Sequence, residues 1–176
     1  SRFGHRRQRT ASRGVSPTSW VDGRNDVLAS TTRSPLDTVE LMLNSLRDRH
    51  LEGVLDCFDE SPDVYIFPEG PRWTNKGGQR IHKGWRDYFQ APIVLKSWRW
   101  TNGPEIFESS DLALVCGVVE YEFEGAGQPR PLTMRMTWGV RRGGDGVWRI
   151  IHEHGSQPLA DPYGTGDWLR PDEASS

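Results

Sequence analysis

Val147-Trp-Arg-Ile-Ile-His-Glu-His-Gly-Ser156 is the stretch whose reading decides the fold. Its apolar residues alternate, as in a half-buried strand, and the run ends in two histidines two residues apart. Successive strand side chains point to opposite faces. Plain alternation therefore puts Trp148, Ile150, His152 and His154 on one face, and Arg149, Ile151 and Glu153 on the other. Two imidazoles that prolong an apolar face read as the polar end of a buried surface, which is how a ligand pocket is often built. Imidazole titrates near neutrality, so the pair are candidate acid/base groups.

Three long strand-like segments precede this one: 94–107, 111–124 and 131–142. Ser109-Ser-Asp111, Gly125-Ala-Gly127 and Gly143-Gly-Asp-Gly146 supply the turns between them. Short connections between consecutive strands imply antiparallel hairpins. Upstream, Ser34-Pro-Leu-Asp37 is a helix start, with Ser as cap, Pro at the first position and Asp three residues after the cap. Leu36, Val39, Leu43 and Leu46 follow at helical spacing. The pattern predicts a second helix over 51–58, short strands over 64–67 and 79–82, and a short helix over 85–90. Helices first and a meander of long strands after is an α+β arrangement, with helices on one face of a curved sheet that encloses a cavity.

The chain has 176 residues and suits one domain with tails: 1–33, a domain over 34–158, and an irregular stretch over 159–176. Residues 1–33 carry seven arginines against Asp22 and Asp26, giving +5, while the rest of the chain sums to -7. The first segment has no apolar periodicity and reads as a flexible basic tail. The overall charge of -2 gives no reason to expect nucleic acid, and no run is long and apolar enough to cross a bilayer. Cys57 and Cys116 lie outside any disulfide framework and read as buried thiols of a reducing, cytoplasmic compartment. A bridge between them stays open at this point.

Several polar groups are candidates for the cavity. They are His152 and His154, Arg135 with Thr137, Tyr65 with Glu69, and Glu120 with Glu122. A histidine near a carboxylate can act as a general base, and a cationic Arg or a Tyr hydroxyl can stabilise an enolate oxygen. His154, His152, Arg135 and Tyr65 are therefore the candidate catalytic set. Trp73, Trp85, Trp100 and Trp138, with Glu69 and Glu120, are the candidate ligand-binding set, because Trp gives flat apolar walls. These groups fit proton abstraction beside a carbonyl, aldol-type ring closure or dehydration, none of which needs a cofactor. His-x-His can also hold a metal, with a third ligand from Glu69, Glu120 or His82. The chain continues Gly155-Ser-Gln-Pro158, without the further acid that such a site would add, and no metal is expected.

Three features together resemble a known family: the helix pair ending in Asp63-Val64, the run Ile81-His-Lys-Gly-Trp-Arg-Asp-Tyr-Phe89, and the final Gly146–Ser156. The chain looks like the nuclear transport factor 2-like superfamily, and within it the SnoaL-like proteins, over roughly 34–158. The resemblance implies a cone-shaped curved antiparallel sheet wrapped around N-terminal helices, often dimeric through the outer face of the sheet. It implies a lyase, isomerase or polyketide cyclase of secondary metabolism, or a non-catalytic binding or association module, since the fold hosts both. No ketosteroid isomerase or limonene epoxide hydrolase pattern maps cleanly onto these residues. The expected partners are a hydrophobic small-molecule substrate and a second copy of the chain, with neither nucleic acid nor membrane. The run Leu112–Val119 is apolar on both faces, and the helices can cover only one.

Overall fold

The computed structural model describes residues 33–68, 72–125 and 127–164, the side chains of 127–130 aside. Residues 1–32 of the basic segment, residues 165–176 and Glu69 lie outside the described residues. Helix α1 spans Pro35–Arg47, opened by a complete capping box in which the Ser34 hydroxyl and the Asp37 carboxylate each accept from the other's backbone N–H. Replacing Ser34 by Ala removes one of these bonds, a loss of about 1 kcal/mol. Helix α2 is shorter than expected, Leu51–Leu55, and turns follow it.

Strand β1 (Tyr65–Phe67) and the two-residue β2 (Asn75–Lys76) lead into helix α3, Gly78–Gln90. Residues 79–82 form the first turn of α3 and not a strand, so His82 is a buried helical residue. Ile81, Gly84, Trp85 and Tyr88 recur at helical spacing, and Gly84 in their midst breaks the apolar pattern from which a single helix is read.

Four long strands follow as expected: β3 (Val94–Glu108), β4 (Leu112–Gly125), β5 (Gly127–Arg142) and β6 (Trp148–Ser156). The sheet order is β2-β1-β6-β5-β4-β3, curled and unclosed. All pairings are antiparallel except β1 with β6, which brings the chain's first strand beside its last. Inward-facing Val115, Val119, Met134, Met136, Trp138 and Val140 meet Val39, Met42, Leu43 and Leu46 of α1 in one core.

Two tryptophans fasten α1 to the sheet. Trp98 Nε1 donates to Asn44 Oδ1 and Trp100 Nε1 to Glu40 Oε1, each at 3.1 Å. The Trp100 ring lies over Gly117, where a Cβ would sit 2.7 Å from it, so only glycine admits the ring. Among the described residues no helix is long and apolar enough to cross a membrane.

Candidate functional site

The register of β6 changes partway along. Val140 pairs with Ile150, but Gly139 pairs with His152, which leaves Ile151 as an extra residue on β6. Such a bulge shifts the phase of every side chain beyond it. Trp148 and Ile150 point inward as expected, but past the bulge Glu153 is the inward residue, while His152 is half-buried and His154 exposed. Expected on the opposite face, Glu153 is 5% exposed. Its direct partner on β5 is Trp138, fully buried, whose Nε1 donates to Glu153 Oε2 at 2.8 Å.

Glu153 lines a cavity of about 270 Å³. Met42, Leu43, Ile66, Met134, Met136 and Trp138 form its buried floor. Pro68, Asn75, Trp85, Tyr88, Phe123 and Leu132, all half-buried, form its rim. The lining is apolar, and Glu153 is the sole carboxylate among the described residues in it. Trp85 Nε1 and Tyr88 Oη are buried without a hydrogen-bond partner among the described residues, as is His82 Nε2. All three belong to α3. Burial pushes the Tyr88 hydroxyl above its ordinary pKa, with Arg49 pulling weakly the other way, so it stays a donor at neutral pH. An unmet buried donor carries a cost of about 1–3 kcal/mol, which a hydrogen-bonding ligand oxygen would recover.

Arg49 holds this helix. Its backbone sits at φ 56°, a conformation uncommon outside glycine. From there its guanidinium lies 4.7 Å over the Phe89 ring and donates to the carbonyls of Phe89 and Ile93. The last turn of α3 is thereby tied to the α1–α2 corner.

The structure redistributes the residues expected in the site. Trp85 and Trp138 line the cavity. Trp100 does not; it packs edge-on against Trp138 at 5.9 Å and is committed to Glu40. Trp73 is 92% exposed, away from any core. Glu120 faces outward and is paired with Arg99 at 2.7 Å. Arg135 shares its exposed face and lies opposite the inward Met134 and Met136. Tyr65 is also an outer-face residue, since its strand turns Ile66 inward.

His152 and His154 form an aromatic group on that outer face. His152 Nδ1 donates to the Tyr65 carbonyl at 2.7 Å, which fixes the proton on Nδ1 because a carbonyl only accepts. The Phe67 ring meets His152 and His154 edge-on at 5.5 and 5.2 Å. The expected pocket histidines thus bind β6 to β1. Among the described residues no three His, Cys, Asp or Glu gather as a metal site. Cys57 and Cys116 are both free thiols.

Glu153 and Tyr88 are the site residues that sequence reading missed. The one trace of the phase change is Ile150-Ile151, two aliphatic residues in succession within an otherwise alternating strand.

Comparison with known proteins agrees with this fold. The family model described as a SnoaL-like domain matches residues 36–160. No curated protein sequence matches the chain. Among solved structures, an NTF2-like protein of unknown function from Pseudomonas putida KT2440 is 23% identical, over 77% of this chain and 93% of that one, with a TM-score of 0.58. An NTF2-like superfamily protein from Salmonella enterica serovar Typhimurium LT2 is 18% identical over 74% and 93%, with a TM-score of 0.61. A ketosteroid isomerase-like protein from Erwinia carotovora atroseptica is 15% identical over 69% and 92%, with a TM-score of 0.57. At these identities the likeness is one of fold.

Proposed function

Since the chain belongs to the SnoaL-like domain family, we propose that its cavity binds a hydrophobic carbonyl compound and that Glu153 is the general acid/base of a lyase, isomerase or cyclase reaction. The observation that carries this reading is the Trp138–Glu153 hydrogen bond inside an apolar cavity. A buried carboxyl group held by a hydrogen bond on the wall of an apolar cavity is positioned to exchange a proton with a bound ligand. Trp138 fixes the orientation of the carboxyl group. Glu153 then takes a proton from the carbon beside the ligand carbonyl and returns it at another position, or to a leaving hydroxyl. In this reading the donor of Tyr88 or Trp85 turns to the enolate oxygen, where a hydrogen bond is worth more as charge develops. None of these steps needs a cofactor, and the chemistry suits secondary metabolism.

The test is proton exchange. Flat hydrophobic ketones such as 2-tetralone are incubated with the protein in D2O, and loss of the α-proton signal is followed by NMR. Catalysed exchange above the buffer rate supports the reading. Binding without exchange across the panel would favour the second one, a non-catalytic ligand-binding or association module.

The outer sheet face carries large exposed apolar side chains. Leu112, Leu114 and Phe107 are 46%, 41% and 63% exposed there. We propose that a second copy of the chain covers this face in a homodimer. The proposal is compatible with either function, since the cavity opens on the other side of the sheet.

A further inference from the structure

Helix α3 presents Ile81, Gly84, Trp85 and Tyr88 to the cavity, at spacings of three, one and three residues. Three of these are large side chains and the fourth is none. Gly84 differs from every other described lining residue in being exposed as well, so it stands at the mouth. A Cβ built on it meets no described atom within 4 Å. Its backbone is ordinary helix, not one of the positive-φ positions. Neither conformation nor crowding therefore requires glycine, and in a helix interior glycine is less stable than alanine.

We infer that Gly84 is the port of the cavity and sets the size of the ligand: the missing side chain leaves the opening through which an apolar ring system passes and past which its far end projects. This rests on the reading of the cavity as a ligand site. The ligand class that follows is a neutral, flat molecule longer than the cavity is deep. Its inner end is held among Met134, Met136 and Trp138, and its outer end lies between Gly84 and the rim residues Pro68 and Asn75.

The test uses the full chain and N-phenyl-1-naphthylamine, a neutral aromatic probe whose fluorescence rises in apolar surroundings. Gly84→Ala is expected to raise Tm by about 1–3 °C, the helix-propensity gain, while weakening the probe about threefold. Gly84→Leu is expected to weaken it at least about tenfold with Tm no lower than that of the parent, since a clash at the mouth acts on binding and not on folding. Arg80→Leu, which places the same side chain at an exposed position of the same helix, is expected to leave binding unchanged. Equal binding by the parent and Gly84→Leu overturns the port while leaving the cavity as a site. Weakening by Arg80→Leu as large as by Gly84→Leu overturns it too, because the effect would then belong to the helix as a whole. Absence of probe binding by the parent chain overturns the cavity reading itself, and the port with it.

Discussion

Trp138 and Glu153 are direct cross-strand partners, both buried, joined by a 2.8 Å hydrogen bond from the indole nitrogen to one carboxylate oxygen. The bulge at Ile151 puts them together. Without it, the plain alternation of β6 would turn the histidines to the cavity and the acid to solvent. One unpaired residue in a strand therefore selects which titratable side chain the cavity contains.

Trp138→Phe keeps an aromatic ring and removes the donor. It is expected to destabilise the domain by about 1–3 kcal/mol, the range for depriving a buried acceptor of a partner. It should also slow any exchange that depends on Glu153. Urea denaturation measures the first effect, and ketone exchange in D2O the second.

Asp59 gives the fold an acid-sensitive tie. Burial pushes its carboxyl upward, but Ser61, through its backbone N–H and hydroxyl, and Arg141, 3.1 Å away, hold it below its ordinary pKa. A depressed native pKa contributes stability that is present above the unfolded value, near 3.9, and is lost as pH falls through the native one. Asp59→Asn should lower stability at neutral pH and flatten the decline below about pH 4. Parallel acid slopes for parent and variant in thermal melts would count against this tie.

Burial, the main cause, raises the Cys57 thiol to about 11, and its Sγ lies 3.1 Å from the Gly53 carbonyl, to which it donates. The thiolate is the reactive form. A disulfide reagent at pH 8 should therefore leave Cys57 unmodified in the native chain and modify it rapidly in urea. Peptide mapping distinguishes it from the half-buried Cys116.

The outer face offers a separate test. Leu114 lies beside Gly139 and Phe107 in the register of that face. Leu114→Arg is expected to convert a dimeric parent to a monomer in sedimentation at micromolar concentration, leaving the melting curve of the monomer cooperative. A parent that is already monomeric there refutes the dimer.

Much of this architecture is legible in the chain. Ser34, Pro35 and Asp37 announce α1 locally, because a cap is made by residues three apart. The four long strands show as alternating runs between Gly-rich turns. What escapes is whatever depends on a distant partner. The phase of β6 past Ile151 is set by how β5 pairs with it, and nothing within 147–156 states that pairing except the doubled Ile. Arg135 and Thr137 were expected in the cavity opposite Met134, Met136 and Trp138. The structure takes the apolar set inward, because α1 supplies apolar residues on that side. Trp100 reads equally well as pocket wall or core, and only its hydrogen bond to Glu40 settles it as a fastening of α1. Residues 79–82 read as a strand because Gly84 conceals the helical face that Ile81 shares with Trp85 and Tyr88.

The most direct measurement compares Glu153→Gln with His152→Gln and His154→Gln in the ketone exchange assay. Gln keeps the shape of Glu and removes its basicity. The expected result is a fall of about two to four powers of ten in exchange rate for Glu153→Gln, the usual contribution of a positioned general base, with probe binding retained. The two histidine variants should keep the parent rate, since their rings face Phe67 and the outer surface. Unchanged exchange in Glu153→Gln, or its loss in either histidine variant with the fold intact, would contradict the assignment and return the chemistry to the outer face.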